Sequence, residues 1–230
     1  MKYFAYGTNC NPAVLERKGI AFSDRRRASL TGYRLLFNKL ALRERLPDDI
    51  GFANIEADPN GTVEGILYEI SDADRVTLDE SERVPDHYVR IAVTVDTEAG
   101  PVEGETYQAH PSKTALGLRP SRNYINHMLS ARDFLSRQYY EALDAAQTYH
   151  GECATCHRHR EVIFLSEDDR LHMLCQPCRE ARLTWGTARG RPLTIPETEA
   201  IMTELVLDKP GFPSIQELIR TAIASSLIDP

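Results

Sequence analysis

The stretch Tyr3-Phe4-Ala5-Tyr6-Gly7-Thr8-Asn9, at the head of a 230-residue chain, sets the reading of everything after it. Tyr3 to Tyr6 has the aromatic content of a short strand. Gly7 ends it, because glycine opens backbone angles closed to other residues. Thr8 and Asn9 carry short polar side chains that close turns or cap helices. Asn11-Pro12 follows, and Ala13-Val14-Leu15-Glu16-Arg17 reads as the opening of a helix with Pro12 at its first position. A strand that turns sharply through Gly-Thr-Asn presents successive backbone N–H groups, which can bind a carboxylate or a developing oxyanion. The same residues also satisfy a plainer reading, an N-terminal strand with an ordinary turn.

Short apolar runs separated by turn chemistry continue to about residue 110. Asp48-Asp49, Asp58-Pro59-Asn60-Gly61 and Glu98-Ala99-Gly100-Pro101 mark the breaks. Asn60-Gly61, between apolar runs at 53–55 and 63–70, predicts a hairpin. Tyr88 to Val95 alternates as a strand does, and Val102 to Tyr107 is suited to pair with it. Ser71 is placed to cap a helix running to about Glu82, with Asp72 and Asp74 in its first turn. Ser121 opens a helical pattern through Ile125, Leu129, Phe134 and Leu135, in two pieces up to Ala146. Strands dominate and helices are interspersed, so the fold class is α+β. Arg25-Arg26-Arg27 reads as a solvated turn.

Apolar residues make up 42% of the chain and charged residues 27%, ordinary for a globular protein. A formal net charge of −7 argues against a general nucleic-acid or anionic-membrane surface. Lys2 is followed by a polar, aromatic stretch where a signal peptide would carry a continuous apolar run, and no segment has the length and apolarity to span a bilayer. The expected setting is cytoplasmic.

A second module begins near His150. Cys153-x-x-Cys156 and Cys175-x-x-Cys178 are separated by eighteen residues, a spacing suited to a four-cysteine zinc site. Glu161–Leu165 and Leu171–Leu174 read as two strands about the polar turn Ser166–Asp169, so a zinc-ribbon-like module over residues 149–190 is expected, with one structural zinc. Paired disulfides and a thioredoxin-like redox site are the rival readings. A cytoplasmic setting disfavours the first and the lack of a local βαβ pattern the second. His157, His159 and His172 read as surface groups or, at best, spare ligands, and Cys10 as a small, half-buried side chain.

Residues 191–230 read as a helical tail. Pro196 to Leu207 is amphipathic, Lys209-Pro210-Gly211-Phe212-Pro213 breaks it, and Ser214 with Glu217 forms a capping box ahead of Ile215, Leu218, Ile219 and Ile223. That apolar stripe either packs on the chain's own domains or meets a protein partner; the zinc ribbon is the other surface a partner can use.

Taken together in order, several stretches resemble the γ-glutamylcyclotransferase (AIG2-like) superfamily over residues 1–148. Tyr6-Gly7-Thr8-Asn9 is similar to its YGSN-type opening, Gly32–Phe37, Gly51–Ile55 and Val63–Tyr68 to its strands, and Leu78-Asp79-Glu80-Ser81-Glu82 to its LDExE pattern. Two departures stand out: Thr8 where serine is usual, and Arg83 where a glycine often follows the glutamate. The resemblance implies that the sheet closes into a small mixed β-barrel, that Glu82 is the catalytic acid/base, and that Tyr88 and Tyr124 line the pocket. It implies that Tyr6, Gly7, Thr8 and Asn9 hold the substrate's anionic end. The substrate would be a small γ-glutamyl compound, cyclised through its own α-amine to 5-oxoproline with release of an amine or amino acid, and no cofactor would be needed for catalysis. Without the motif, Glu82 reads as a solvated glutamate in an acidic turn, with Glu80 and Asp79 as rivals. A non-catalytic small-molecule or protein-binding module of the same fold, using the zinc ribbon and tail for interactions, is the alternative.

Overall fold

The structure, a computed structural model, describes residues 1–41, 46–187 and 190–206, with side chains to 203. The chain divides into two compact units, Met1–Thr148 and Tyr149–Pro230. In the first, β1 (Lys2–Ala5), β2 (Asp24–Leu40), β3 (Gly51–Glu69), β4 (Tyr88–Thr97) and β5 (Gly100–Ala109) close a barrel in the order β1-β3-β2-β4-β5. β1 runs parallel to β5, with Tyr3 opposite Glu105, and the remaining pairs run antiparallel, so the barrel is mixed.

The aromatic content of β1 follows from this position. Successive side chains of a strand point to opposite faces. Phe4 and Tyr6 enter a cluster built of strand residues, among them Ala28, Leu30, Ile55, Val63 and Val95. Tyr3 and Ala5 enter a second cluster that includes Leu15, Leu78, Ile125 and Met128. Those four belong to helices α1 (Pro12–Arg17), α2 (Asp72–Glu82) and α3 (Arg122–Leu129). β1 is apolar on both faces because barrel filling covers one and helices cover the other. A further helix, α4 (Arg137–Asp144), adds Leu143 to the second cluster.

The helix starts follow their capping residues. Asn11 Oδ1 accepts from the Ala13 N–H at 3.0 Å, with Pro12 at the first helical position, and Ser71 Oγ accepts from the Asp74 N–H at 3.0 Å. Ser121 Oγ accepts from the Tyr124 N–H at 3.3 Å. Each bond satisfies one of the donors that a helix N-terminus leaves unpaired.

The expected hairpin at Asn60-Gly61 does not form. β3 runs unbroken from Gly51 to Glu69 beside β2, with Tyr33 opposite Ala57 and Thr31 opposite Thr62. The Asn60 N–H does donate to Asp58 Oδ1 at 3.0 Å, so the turn chemistry is real, but it is absorbed as an irregularity in the ladder. A Cβ at Gly61 would lie 2.3 Å from the Tyr33 carbonyl oxygen, so this glycine permits close approach of two strands. β2, 17 residues long, offers both halves of β3 the same neighbour, and this long-range pairing overrides the local turn preference. Arg25-Arg26-Arg27 is likewise strand, opposite Tyr68, Leu67 and Ile66, and not a solvated turn.

Lys39, near the end of β2, is only 1% exposed. Its Nζ lies 5.2 Å from the centroid of the Tyr88 ring and donates to the Leu40 carbonyl oxygen. Burial lowers its pKa from 10.5 to about 8. Between those two values the unfolded chain holds a proton that the folded one has released, so stability rises as pH climbs through that window. Below about 8 both states are charged and the burial penalty is fully present. Lys39→Met is expected to raise the melting temperature at about pH 7 by roughly 2–4 °C, the shift that ~1 kcal/mol produces in a chain of this size. The gain should shrink towards about pH 10, which thermal melts at the two pH values will show.

In the second unit, β6 (His150–Glu152) pairs with β7 (His159–Glu161), and β8 (Ile163–Glu167) with β9 (Arg170–Leu174). Asp168 and Asp169, at φ 49° and 59°, make the tight turn of the latter hairpin. Among the described residues of this unit, two helices follow: α5 (Gln176–Trp185), which carried no recognised signal in the sequence, and α6 (Ile195–Val206). Trp185, Leu193, Ile195, Ile201 and Met202 share one apolar cluster with the four cysteines, so α6 packs within this unit. The tail segment from Ser214 to Ile223 lies outside the described residues. Among the described residues no helix is long and apolar enough to cross a membrane.

Candidate active site

β1 ends at Ala5, and the chain passes through Tyr6 and Gly7 into a 3-10 turn over Thr8–Cys10. The Cys10 and Asn11 N–H groups donate back to the Gly7 and Thr8 carbonyls, each at 3.0 Å. The N–H groups of Gly7, Thr8 and Asn9 donate to no backbone carbonyl among the described residues, and that of Thr8 meets the Tyr124 hydroxyl. Gly7 also lets a neighbour come close: a Cβ there would lie 3.1 Å from the Tyr124 hydroxyl oxygen. That hydroxyl accepts from the Ala53 N–H at 3.1 Å, which anchors Tyr124 over the turn.

Glu82 is the last residue of α2. Leu78, fully buried, sets the helix's rotation, and Glu82 follows it by one turn on the same face. Arg83 then closes the helix in the left-handed region, at φ 53° and ψ 51°, a conformation that favours glycine at this position. Glu82 Oε1 accepts from Lys18 Nζ at 2.8 Å and from Asn9 Nδ2 at 3.1 Å. Asn9 Nδ2 also donates to the Tyr3 hydroxyl at 2.8 Å, and Asn9 Oδ1 accepts from Lys18 Nζ at 3.0 Å. Asn9 therefore works through its side chain, in addition to whatever its backbone donor does. The rivals to Glu82 stand elsewhere. Asp79 is engaged by Arg90 at 2.6 Å and by the Tyr107 hydroxyl at 2.7 Å, and Glu80 is exposed.

The turn and Glu82 face one cavity, whose walls are Tyr3, Tyr6, Tyr88, Tyr107, Tyr124 and Ala53. Tyr6, Gly7, Thr8, Asn9, Glu82, Tyr88 and Tyr124, all singled out in the sequence, line it together; Tyr3, Tyr107 and Ala53 were not singled out as site residues. Burial raises the pKa of Tyr3, Tyr6, Tyr88, Tyr107 and Tyr124, with the Glu82 charge adding to each. The five phenols therefore stay neutral across the physiological range, as hydrogen-bonding groups and not as bases. Among the described lining residues, Glu82 is the one carboxylate. Cys10 lies fully inside, its thiol donating to the Ala5 carbonyl at 3.2 Å, and burial pushes its pKa up to about 12. A group so held is a packing element, not a nucleophile.

In the second unit, Cys153, Cys156, Cys175 and Cys178 bring their sulfurs within 4.8 Å of one another, all four buried. The first pair sits on the turn between β6 and β7, where the Cys153 N–H donates to the Arg158 carbonyl at 3.0 Å. The second pair sits on a helix start, with Cys175 as the N-cap of α5. The Cys175 N–H donates to Cys153 Sγ at 3.3 Å, an N–H···S bond of the kind that orients a metal-binding thiolate. His157 is tied to Glu152 and Glu199 at 3.2 and 2.9 Å, apart from the sulfur cluster.

A family model described as gamma-glutamyl cyclotransferase, AIG2-like, matches residues 3–126. No curated protein is significantly similar in sequence. Among solved structures, a gamma-glutamyl cyclotransferase is similar at 25% identity and a TM-score of 0.56, over 64% of this chain and 88% of that one. The uncharacterized protein loc79017 from Homo sapiens is similar at 26% identity and a TM-score of 0.54, over the same shares of each chain, 64% and 88%. YkqA from Bacillus subtilis shares the fold at 23% identity and a TM-score of 0.55, over 65% of this chain and 56% of its own. With a mixed five-stranded barrel, an acidic helix end facing the first turn and a family match over more than half its length, this chain belongs to the gamma-glutamyl cyclotransferase, AIG2-like family.

Proposed function

We propose that the first unit is a γ-glutamylcyclotransferase that converts a γ-glutamyl amide to 5-oxoproline, with Glu82 as general acid/base. The observation that carries this reading is the meeting of a single carboxylate with a turn of backbone donors inside a tyrosine-walled cavity. A γ-glutamyl compound supplies its own nucleophile. Its α-nitrogen attacks its δ-carbonyl carbon, closing a five-membered ring while the C–N bond to the leaving amine breaks. The protein must hold the chain bent, take a proton from the α-ammonium and deliver one to the departing nitrogen. Glu82 carries the proton between them. The Gly7–Asn9 N–H groups bind the α-carboxylate, since amide dipoles accept an anion without a competing counter-cation. The tyrosine hydroxyls stay neutral and orient the chain.

Zinc is the metal that fits the second unit. Four thiolates around zinc at ~2.3 Å in a tetrahedron place sulfurs about 3.8 Å apart, and Cys156 Sγ and Cys175 Sγ are separated by 3.8 Å. Thiolates at all four positions leave no room for an activated water, so such a metal is structural and the cyclisation does not pass through it. Incubating the purified chain with a panel of γ-glutamyl amino acids, γ-glutamyl amines and γ-glutamyl isopeptides should yield 5-oxoproline from at least one of them. A panel that gives no 5-oxoproline above the uncatalysed rate would overturn the cyclotransferase reading.

A further inference from the structure

We propose that Lys18 is a positioning residue for Glu82, an inference that rests on the cyclotransferase reading above. Lys18 follows α1 directly as its C-terminal cap, and the resemblance through which the site was first read assigned it no part. Its ammonium lies 2.8 Å from Glu82 Oε1 and 3.0 Å from Asn9 Oδ1, and Asn9 Nδ2 completes a triangle by reaching Glu82 Oε1 at 3.1 Å. The side chains are 26% and 16% exposed, for Lys18 and Glu82, so water competes only in part for these bonds.

The triangle determines the orientation of each member. An ammonium only donates, so Asn9 must turn its oxygen to Lys18; an ionised carboxylate only accepts, so Asn9 must turn its nitrogen to Glu82. The second hydrogen of Asn9 Nδ2 goes to the Tyr3 oxygen, which leaves the Tyr3 hydroxyl hydrogen free for another acceptor. Both donors to Glu82 converge on Oε1, and Oε2 accepts no hydrogen bond among the described residues. Lys18 and Asn9 therefore clamp one carboxylate oxygen and leave the other for the substrate's α-ammonium. Without Lys18, the carboxylate keeps one tether and can rotate, which takes Oε2 off line from the nitrogen it must serve.

The opposite role for the same geometry is competition, in which the Lys18 ammonium holds the place that the substrate's own ammonium must take. The two roles separate in kinetics. With a substrate that the wild type turns over, Lys18→Met is expected to lose roughly tenfold to hundredfold in kcat, the cost of a misplacement of about 1 Å, with KM changed by less than about threefold. Lys18→Arg restores a donor to Oε1 and should recover most of the rate, which a purely structural role would not require. Melting curves verify that both variants are folded; if Lys18→Met is not, Lys18→Leu, which also lacks a donor, replaces it with the same expectation. An undiminished kcat in the folded variant, or a higher kcat with a lower KM, overturns the positioning role and leaves the cyclotransferase reading intact. A wild type inactive on every substrate removes that reading, and this inference with it.

Discussion

Glu82→Gln is expected to lower turnover roughly 10²-fold to 10⁴-fold, the usual worth of a general acid/base, with substrate affinity much less affected. Glutamine keeps the shape of the side chain, and its carbonyl oxygen can still accept from Lys18 and Asn9 at the positions now 2.8 and 3.1 Å away. What it loses is the ability to carry a proton. The Gly7–Asn9 turn, whose donors are backbone groups, is untouched and still holds the anionic end. Glu80→Gln is the matched control. Glu80 is exposed on the same helix, so its replacement should leave the rate within about twofold, as surface substitutions commonly do. Thr8→Ala also keeps the backbone donors and should have a modest effect. Steady-state kinetics on the folded variants measures all three. Full activity in Glu82→Gln would remove Glu82 from the mechanism and favour a binding module built on this fold.

The second large effect is expected in the cysteine unit. Purified, reduced protein should hold about one zinc per chain, and Cys175→Ser should abolish tight binding. Serine would keep the backbone N–H bond to Cys153 Sγ and lose only the Cys175 sulfur, so binding tests that ligand itself. The apolar cluster that joins α5 and α6 includes the four cysteines, so losing the metal would open its centre. Zinc binding in small modules supplies on the order of 10 kcal/mol of folding free energy, more than so small a core provides alone. Loss of metal should therefore lower the helical circular dichroism from α5 and α6 and make residues after 149 sensitive to protease. Elemental analysis that finds no metal in carefully reduced protein would refute the zinc site. Chelation should leave the chemistry of the first unit running, since the described residues lining its cavity all belong to that unit. Immediate, complete loss of activity with the barrel still folded would contradict that separation.

Local chemistry made much of this chain legible from its sequence. Ser71, Asn11-Pro12 and Ser121 marked helix starts because a cap acts within three residues of itself, and such bonds need no tertiary partner. Tyr88–Val95 and Val102–Tyr107 could be paired because their turn lies between them, although the strands run on to Thr97 and back from Gly100. The cysteine spacing carried its own meaning, and the order of short motifs carried the family. Tertiary structure decided the rest. Asn60-Gly61 became an irregularity inside β3 because β2 was long enough to pair with both sides of it. Tyr3 and Tyr107 became cavity walls only when barrel closure set β1 beside β5. Asn9 and Lys18 meet Glu82 across 73 and 64 residues of chain. A sequence window sees neighbours along the backbone, whereas which polar atoms share a cavity depends on strand register and on helix rotation set by buried residues such as Leu78. Residue types and caps are local properties, and the hydrogen-bond partners of the proposed acid/base follow from the closure of the barrel.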